Sequence, residues 1–179
     1  AQDPAIHGGA IIRLHHDGSI PKDNPRLDGW APEIFSIGHR NPQGLAFHPS
    51  TGALWSHEHG PRGGDEINII TAGDNYGWPT VSHGKEYIGG TIGIGTSAPG
   101  LADPAWVWTP SIAPSGMAFY GGSMFPQLNG HLLVGSLKFK RLYLVKLSAG
   151  VPQDEFVILD GSIGRVRDVA VESDGAILL

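Results

Sequence analysis

The stretch Gly44-Leu45-Ala46-Phe47 decides the fold, because it recurs as Gly116-Met117-Ala118-Phe119 and, more loosely, as Arg167-Asp168-Val169-Ala170-Val171. Each copy is preceded by a loop rich in Arg, Pro or Ser and is followed by a turn and a second apolar run. Units of about four short strands that recur at spacings of tens of residues are typical of propeller blades. The loop before each innermost strand of a propeller opens onto the central channel, so we expect these loops to hold the functional side chains. A β-sandwich with accidentally similar strands is the alternative.

Short apolar runs between Gly and Pro turns predict strands along the whole chain. They lie at residues 10–14, 33–37, 44–48, 53–58, 66–70, 105–108, 115–120, 131–135, 141–147, 155–159, 166–171 and 176–179. Residues 80–101 are Gly-rich and weakly patterned, and we expect them to form a long excursion over one face. No segment has a sustained helical period, so the predicted fold class is all-β.

The composition is that of a globular protein, with 40% hydrophobic and 16% charged residues among 179. A net charge of −5 without a basic stripe argues against nucleic acid as a partner. The absence of cysteine excludes disulfides and thiolate metal sites, and it fits either the cytosol or a bacterial periplasm. No apolar run approaches the ~20 residues that a membrane span needs. The chain starts without Met and ends within an apolar run, so we expect one partial domain over residues 1–179, truncated at both ends.

Three basic loops are candidates for binding an anion. Arg40-Asn41 could hold a planar, carboxylate-bearing or quinonoid ligand with a bidentate guanidinium, or it could be a solvated turn. Arg165 and Arg167 lie two residues apart, on one side of an extended segment, and Lys138 occupies a similar basic turn. A propeller would bring these loops together at one channel.

Two clusters are candidates for a metal. His57-Glu58-His59 puts two imidazoles on one face of a strand, but a third ligand at defined spacing is missing, which disfavours zinc. Asp65-Glu66, with Asp74 and carbonyls of a Gly-rich loop, suits calcium, which prefers carboxylate and backbone oxygens. Solvated acids in a turn are the alternative.

A family resemblance rests on three motifs: Gly38-His39-Arg40-Asn41-Pro42-Gln43-Gly44, Glu58-His59-Gly60-Pro61-Arg62-Gly63-Gly64-Asp65-Glu66-Ile67-Asn68 and Asn75-Tyr76-Gly77-Trp78-Pro79. They resemble the soluble pyrroloquinoline-quinone (PQQ)-dependent aldose sugar dehydrogenases of the glucose/sorbosone dehydrogenase family. The similarity continues through residues 115–120, 137–138 and 165–169. It implies a six-bladed β-propeller with PQQ over the channel mouth, of which this chain is similar to the C-terminal half.

The resemblance also assigns residues. It implies that the cofactor is contacted by Arg40, Asn41, Ser111, Lys138, Arg165 and Arg167, with Arg40 assisting near the reactive quinone edge. Carbonyls of Gly60 and Pro61 would bind the calcium that polarises PQQ, and Glu66 with the Tyr76 carbonyl would bind a second calcium. His59, Asp65 and Trp108 would face the substrate.

The activity implied is oxidation of an aldose at C1 to the lactone, with hydride transfer to PQQ, an external electron acceptor and a periplasmic or secreted location. The family's catalytic base is a His in the N-terminal half, and none of the nine His here lies in that motif, so we expect the base upstream. His39 belongs to the cofactor loop instead. The alternatives are a non-catalytic binding propeller and a calcium-dependent propeller lactonase, whose channel would be lined by carboxylates.

Overall fold

The computed structural model describes residues 1–161 and 163–179, and the elements in it are antiparallel strands and one short 3₁₀ turn. The strands are β1 Ile11–Ile12, β2 Ile34–Ser36, β3 Pro42–Phe47, β4 Leu54–Glu58, β5 Asp65–Ile70, β6 Trp106–Trp108, β7 Pro114–Phe119, β8 Leu132–Ser136, β9 Arg141–Ser148, β10 Val151–Asp160, β11 Ala170–Val171 and β12 Ile177–Leu178, and the 3₁₀ turn is Pro126–Leu128. The all-β prediction is confirmed. No helix in the described ranges is long and apolar enough to cross a membrane.

Two complete four-stranded sheets form the centre of the described structure. Their strand orders are β3-β4-β5-β6 and β7-β8-β9-β10, and two-stranded sheets β1-β2 and β11-β12 flank them. The three copies of the sequence repeat fall on or just before β3, β7 and β11, the strands that open successive sheets. β7 packs against β3, and β11 packs against β7. Successive antiparallel sheets that pack through their first strands are consistent with propeller blades, and the six-bladed partial propeller stays a prediction.

The first residue of the repeat is Gly because adjacent sheets approach closely there. A Cβ on Gly44 would lie 2.6 Å from His57 Nε2 and 2.9 Å from Met117 Cγ. A Cβ on Gly116 would lie 2.4 Å from the backbone nitrogen of Val169. Glycine at this position of the repeat therefore meets a steric requirement, because the first strand of one sheet packs closely against the first strand of the next.

The two main cores lie on opposite faces of the β7-β10 sheet. Side chains alternate along a strand, so Leu132 and Val134 of β8 enter one core while Leu133 enters the other. The first core packs this sheet against Trp55 and Ile67 of the preceding sheet. The site loops therefore stand on a rigid scaffold.

The loops that carry the predicted site residues lie at the same ends of the strands in the two four-stranded sheets. The register aligns Pro42 with Glu58 and Glu58 with Glu66 in one sheet. It aligns Pro114 with Ser136 and Ser136 with Arg141 in the next. A hydrogen bond from His59 Nε2 to the Pro114 carbonyl, 2.6 Å long, joins the two sheets there. We call this side, made of residues 38–42, 58–66, 109–114, 136–141 and 165–169, the loop edge.

Candidate functional site

Glu58, which is buried, holds the backbone of the Arg40-Asn41 loop. Its Oε2 accepts hydrogen bonds from the Arg40 amide at 2.5 Å and the Asn41 amide at 3.1 Å. Its Oε1 lies 3.1 Å from Asn68 Nδ2, which donates to it. The loop is thus fixed through its main chain, and the hydrogen bonds to Glu58 do not use the side chains of Arg40 and Asn41.

Arg40 is half-buried and pre-positioned. Its Nη1 donates to the His59 carbonyl at 2.9 Å, and its guanidinium lies 5.3 Å from the centre of the Trp78 ring. Asn41 is exposed, and its Oδ1 accepts a hydrogen bond from Gln43 at 3.0 Å. The two predicted cofactor contacts therefore differ, since Arg40 is braced by protein groups and Asn41 faces solvent.

His39 is enclosed beneath this loop. Its Nε2 lies 2.9 Å from Ser36 Oγ, its Nδ1 lies 3.2 Å from Glu58 Oε1, and its ring stacks on Tyr76 at 4.7 Å. Because both nitrogens contact buried protein groups, His39 has no access to a sugar. His39 thus lies beneath the predicted cofactor loop, and the location of the catalytic base stays a prediction.

Asp65 and Trp108 are interior residues, which corrects the prediction that they face a substrate. Asp65 is 0% exposed, and its carboxylate accepts hydrogen bonds from Gly60, Ser111 and Ala113. Trp108 is 3% exposed, and its indole nitrogen donates to Glu155. Both polar groups are satisfied inside the protein. His59 is half-buried and keeps part of its surface at the loop edge.

A basic groove of about 470 Å³ brings together three of the predicted site residues, Pro61, Ser111 and Lys138. Its other lining residues are Arg62, Gly63, His83, Lys85, Thr109 and Pro110. Among the described residues that line it, none carries a carboxylate, whereas three carry a fixed positive charge. Burial lowers the pKa of His83 from its usual value, against an opposing effect of Asp103. The groove suits an anionic ligand of small-molecule size.

Sequence reasoning missed part of this groove. Arg62 lies inside a quoted motif, beside Pro61, and its place in that motif was a usable signal. Lys85 and His83 lie in the weakly patterned excursion 80–101, which has only an isolated bridge between Lys85 and Thr91. The excursion comes close because Gly64 packs against Gly84, where an added Cβ would lie 2.3 Å from the Gly84 nitrogen. No pattern in the sequence indicated that contact.

Lys138, Arg165 and Arg167 are exposed cations at the loop edge. Arg165 and Arg167 flank buried Val166, whose carbonyl accepts a 2.6 Å hydrogen bond from Ser115 Oγ. Within the described part of the chain, none of these three cations has a carboxylate within 4.0 Å. Lys138 lines the basic groove, but Arg165 and Arg167 do not. The structure therefore brings the three loops to one edge without closing them around one groove.

A second, small cavity of about 20 Å³ has room for a single water or ion. Its walls include Gly38, Arg40, Glu58, His59, Gly60, Gly64, Glu66, Tyr76, Trp78, Val81 and Ser82. Burial, with smaller contributions from Glu58 and Asp65, raises the pKa of Glu66 to about 8. The Tyr76 hydroxyl donates to the Ile69 carbonyl and accepts from the Thr71 amide. Only the backbone carbonyl of Tyr76 is left for a ligand.

The donor set fits calcium better than zinc. No group of three or more His, Asp and Glu side chains in residues 1–161 and 163–179 could hold a metal, so His57 and His59 lack a third ligand. The carbonyls of Gly60, Pro61 and Tyr76 accept no hydrogen bond from any described residue. Calcium takes backbone carbonyl oxygens readily. These free carbonyls match the predicted ligands, although no cluster of protein side chains would complete a shell.

The sequence profile described as Glucose / Sorbosone dehydrogenase matches residues 1–179. The chain belongs to this family. Among curated family relatives, the aldose sugar dehydrogenase YliI of Escherichia coli (strain K12) is 43% identical over 179 residues, which are 98% of this chain and 48% of that protein. The match to the dehydrogenase family therefore includes every strand of the fold and every residue of the loop edge.

Solved structures of the family agree. The apo form of the soluble aldose sugar dehydrogenase from Escherichia coli superposes with a TM-score of 0.94 at 42% identity, covering 99% of this chain and 52% of that one. The PQQ-bound form of aldose sugar dehydrogenase from Streptomyces coelicolor gives 0.73 at 32% identity, covering 94% and 44%. The chain thus spans about half the length of the family members that it matches.

Proposed function

We propose that the protein carrying this chain oxidises aldose sugars at C1 to the lactone, with PQQ and calcium as cofactors. The family membership of the whole chain supports a sugar dehydrogenase. The observation that carries the proposal is the basic groove, where Pro61, Ser111 and Lys138 meet around a space of ligand size. PQQ carries carboxylates, and the groove offers fixed positive charges for them.

The proposed ligands of PQQ and of the calcium beside it all lie at the loop edge. Carbonyls of Gly60 and Pro61 would bind the calcium beside the cofactor, and Lys138, Arg165 and Arg167 would bind its carboxylates and quinone oxygens. Arg40, Asn41 and Ser111 would contact the cofactor, with Arg40 nearest the reactive edge. When bound, PQQ would supply the two-electron acceptor for the hydride of the sugar, and calcium would act on it as a Lewis acid.

The second calcium would occupy the small cavity, held by Glu66 and the Tyr76 carbonyl. The raised pKa of Glu66 supports this assignment, because a buried carboxylate without a counter-charge is costly and a cation removes that cost. Its role would be structural, since the Tyr76 segment and β5 would be tied by one ion.

Other parts of the protein complete the proposal. The base that takes the anomeric proton would be a His outside this chain, and electrons would leave to an external acceptor. A periplasmic or secreted location and one partial propeller domain over residues 1–179 belong to the same proposal. A propeller lactonase would line its channel with carboxylates, and the basic groove offers cations instead.

Dye reduction tests the function. The full-length protein is stripped with a chelator and then given PQQ, calcium and glucose or another aldose, together with an artificial electron-accepting dye. We expect sugar-dependent reduction that needs both PQQ and calcium, with magnesium and PQQ-free samples as controls. Absence of sugar-dependent reduction over a panel of aldoses would contradict the proposal. A perturbed PQQ absorbance without turnover would instead indicate a binding module.

A further inference from the structure

Asp65 is a buried carboxylate to which the proposed chemistry gives no role, yet it touches both sides of the basic groove. On one side, its Oδ1 accepts a hydrogen bond from the Gly60 amide at 2.8 Å. On the other side, its Oδ2 accepts from Ser111 Oγ at 2.6 Å and from the Ala113 amide at 2.8 Å. Both oxygens are therefore used to join two loops that are distant in sequence.

The Gly60 side is the turn that offers carbonyls to a metal. This turn is closed so tightly that a Cβ on Gly60 would lie 2.1 Å from the Gly63 carbonyl oxygen. Because the turn is tightly packed, we expect it to move as a rigid unit. The hydrogen bond from the Gly60 amide to Asp65 would then set the positions of both the Gly60 and the Pro61 carbonyls.

The Ser111 side is strained and needs support. Ala113 has a φ of +53°, a left-handed conformation that a residue with a Cβ rarely adopts. Such a conformation persists only where surrounding contacts hold it, and the hydrogen bond from its amide to Asp65 is one of those contacts. Asp65 thereby fixes the backbone path from Ser111 to β7.

That path in turn positions the Lys138 turn. The Ala113 carbonyl accepts the Leu137 amide at 3.0 Å, and the Ile112 carbonyl accepts the Lys138 amide at 3.3 Å. The Ile112 carbonyl also accepts Ser136 Oγ at 2.6 Å. A continuous series of hydrogen bonds therefore leads from Asp65 to the backbone of the lysine that lines the groove.

We propose that Asp65 is a positioning residue that sets the distance between the Gly60-Pro61 carbonyls and the Ser111-Lys138 side of the basic groove. The coupling of the two loops follows from the hydrogen bonds alone, whereas its consequence for calcium and PQQ rests on the proposed function. A divalent cation held by carbonyls and an anionic cofactor held by lysine must bind at matched spacing, and Asp65 provides that spacing.

Asp65→Asn in the full-length protein is the test. The amide keeps the shape, but its NH₂ group faces backbone or hydroxyl donors where a carboxylate oxygen accepted them. We expect hydrogen exchange, followed by mass spectrometry, to accelerate at least about tenfold in residues 60–64 and in residues 111–113 together. We also expect weaker calcium binding by calorimetry and weaker PQQ binding by absorbance titration, each by about tenfold, in samples that remain folded by circular dichroism.

Tyr120→Phe is the matched control for a purely structural loss. Tyr120 is also 0% exposed, and its hydroxyl donates to the Gly175 carbonyl and accepts the Phe125 amide, both at 2.9 Å and away from the loop edge. Tyr120→Phe should lower the free energy of unfolding, while hydrogen exchange in residues 60–64 and 111–113 and the affinities for calcium and PQQ stay unchanged. If Asp65→Asn fails to fold, Ser111→Ala removes one of the three bonds and should give the same changes in hydrogen exchange and calcium binding at smaller size. PQQ binding is not compared for this variant, because Ser111 is itself a proposed cofactor contact.

The outcomes separate the inference from the proposed function. The coupling is refuted if exchange rises in neither loop or in one alone. The positioning role is refuted if both loops exchange faster while calcium and PQQ bind as tightly as in the wild type. A wild type that binds neither ligand refutes the proposed function, and with it the cofactor part of this inference, while the exchange experiment still decides whether Asp65 couples the loops.

Discussion

The burial of His57 should contribute a loss of stability on mild acidification. The imidazole is 0% exposed beside Gly44, and among the described residues neither ring nitrogen has a hydrogen-bond partner of normal geometry. Burial, followed by the effect of nearby His59, lowers its pKa from 6.5 to about 4, and backbone groups of Ser115 and Gly116 offset this only in part. The folded state therefore keeps His57 neutral at pH values where the unfolded chain protonates it.

The sign and size follow from proton linkage. The folded pKa is depressed, so the unfolded state binds the extra proton and stability falls as pH drops from about 6.5 towards 4. The contribution of His57 to the free energy of unfolding should decrease by about 1 kcal/mol at pH 5.5 and by about 2–3 kcal/mol at pH 4.5, relative to pH 7.5. Glu66 acts in the opposite direction, because its raised pKa makes the folded state bind the extra proton between about pH 8 and 4.5.

The comparison with His57→Leu isolates this effect from that of Glu66. Urea unfolding curves of both proteins are measured between pH 7.5 and 4.5 without added calcium, and the difference in unfolding free energy is plotted against pH. We expect the free energy of unfolding of the variant to rise relative to that of the wild type by about 2–3 kcal/mol as the pH falls over that range, since Leu cannot take a proton. Parallel pH profiles for the two proteins would refute the reasoning.

Three further predictions concern the loop edge and the repeat. Glu58→Ala should cost about 3–5 kcal/mol because buried His39 and the backbone amides of Arg40 and Asn41 lose their acceptor, while Glu58→Gln should cost about 1–2 kcal/mol because its side-chain oxygen can still accept from the two amides. Equal losses of unfolding free energy in urea would contradict this. Gly116→Ala should cost about 1–3 kcal/mol by the same measurement, whereas Gly121→Ala, which meets nothing within 4 Å, should be neutral. Lys138→Ala should weaken PQQ binding about fivefold and reduce the salt dependence of that binding, and Lys146→Ala, at an exposed position, is the control. If Lys138→Ala binds PQQ as tightly as the wild type, Lys138 is not part of the PQQ site.

The fold was predictable because its repeat is a short pattern that recurs along the chain. Gly44 and Gly116 are needed where inner strands pass closely, and the alternating apolar residues around them enter two cores. The contacts behind these requirements join strands that are distant in sequence, but in Gly44 and Gly116 they fall at the same place in the repeat, so they leave a visible pattern. The excursion 80–101 has no such pattern, since its place is set by the contact of Gly64 with Gly84 and by the hydrogen bond from Arg62 to the Tyr87 carbonyl at 3.3 Å.

The site was only partly predictable, for a related reason. The motifs identified Arg40, Pro61, Ser111 and Lys138, and the structure places all four at the loop edge. They did not reveal that Asp65 is interior, because its decisive partners, Ser111 and Ala113, are 46 and 48 residues away. From sequence alone, an acidic residue in a Gly-rich turn is interpreted as an exposed residue that binds a metal or a substrate, because its distant hydrogen-bond donors are not visible.

At the loop edge the carboxylates of Glu58 and Asp65 lie inside the protein, whereas the cations of Lys138, Arg165 and Arg167 lie at its surface. Glu58 and Asp65 are directed inward at backbone amides, where a carboxylate satisfies several donors at once and holds a loop in place. Exposed Lys138, Arg165 and Arg167 are directed outward, so an approaching ligand meets three positive charges. Exposed Asp168 offsets part of that field, whereas the buried carboxylates of Glu58 and Asp65 serve the scaffold with less effect on it. The same chain, although its net charge is −5, can therefore present a local site for an anion.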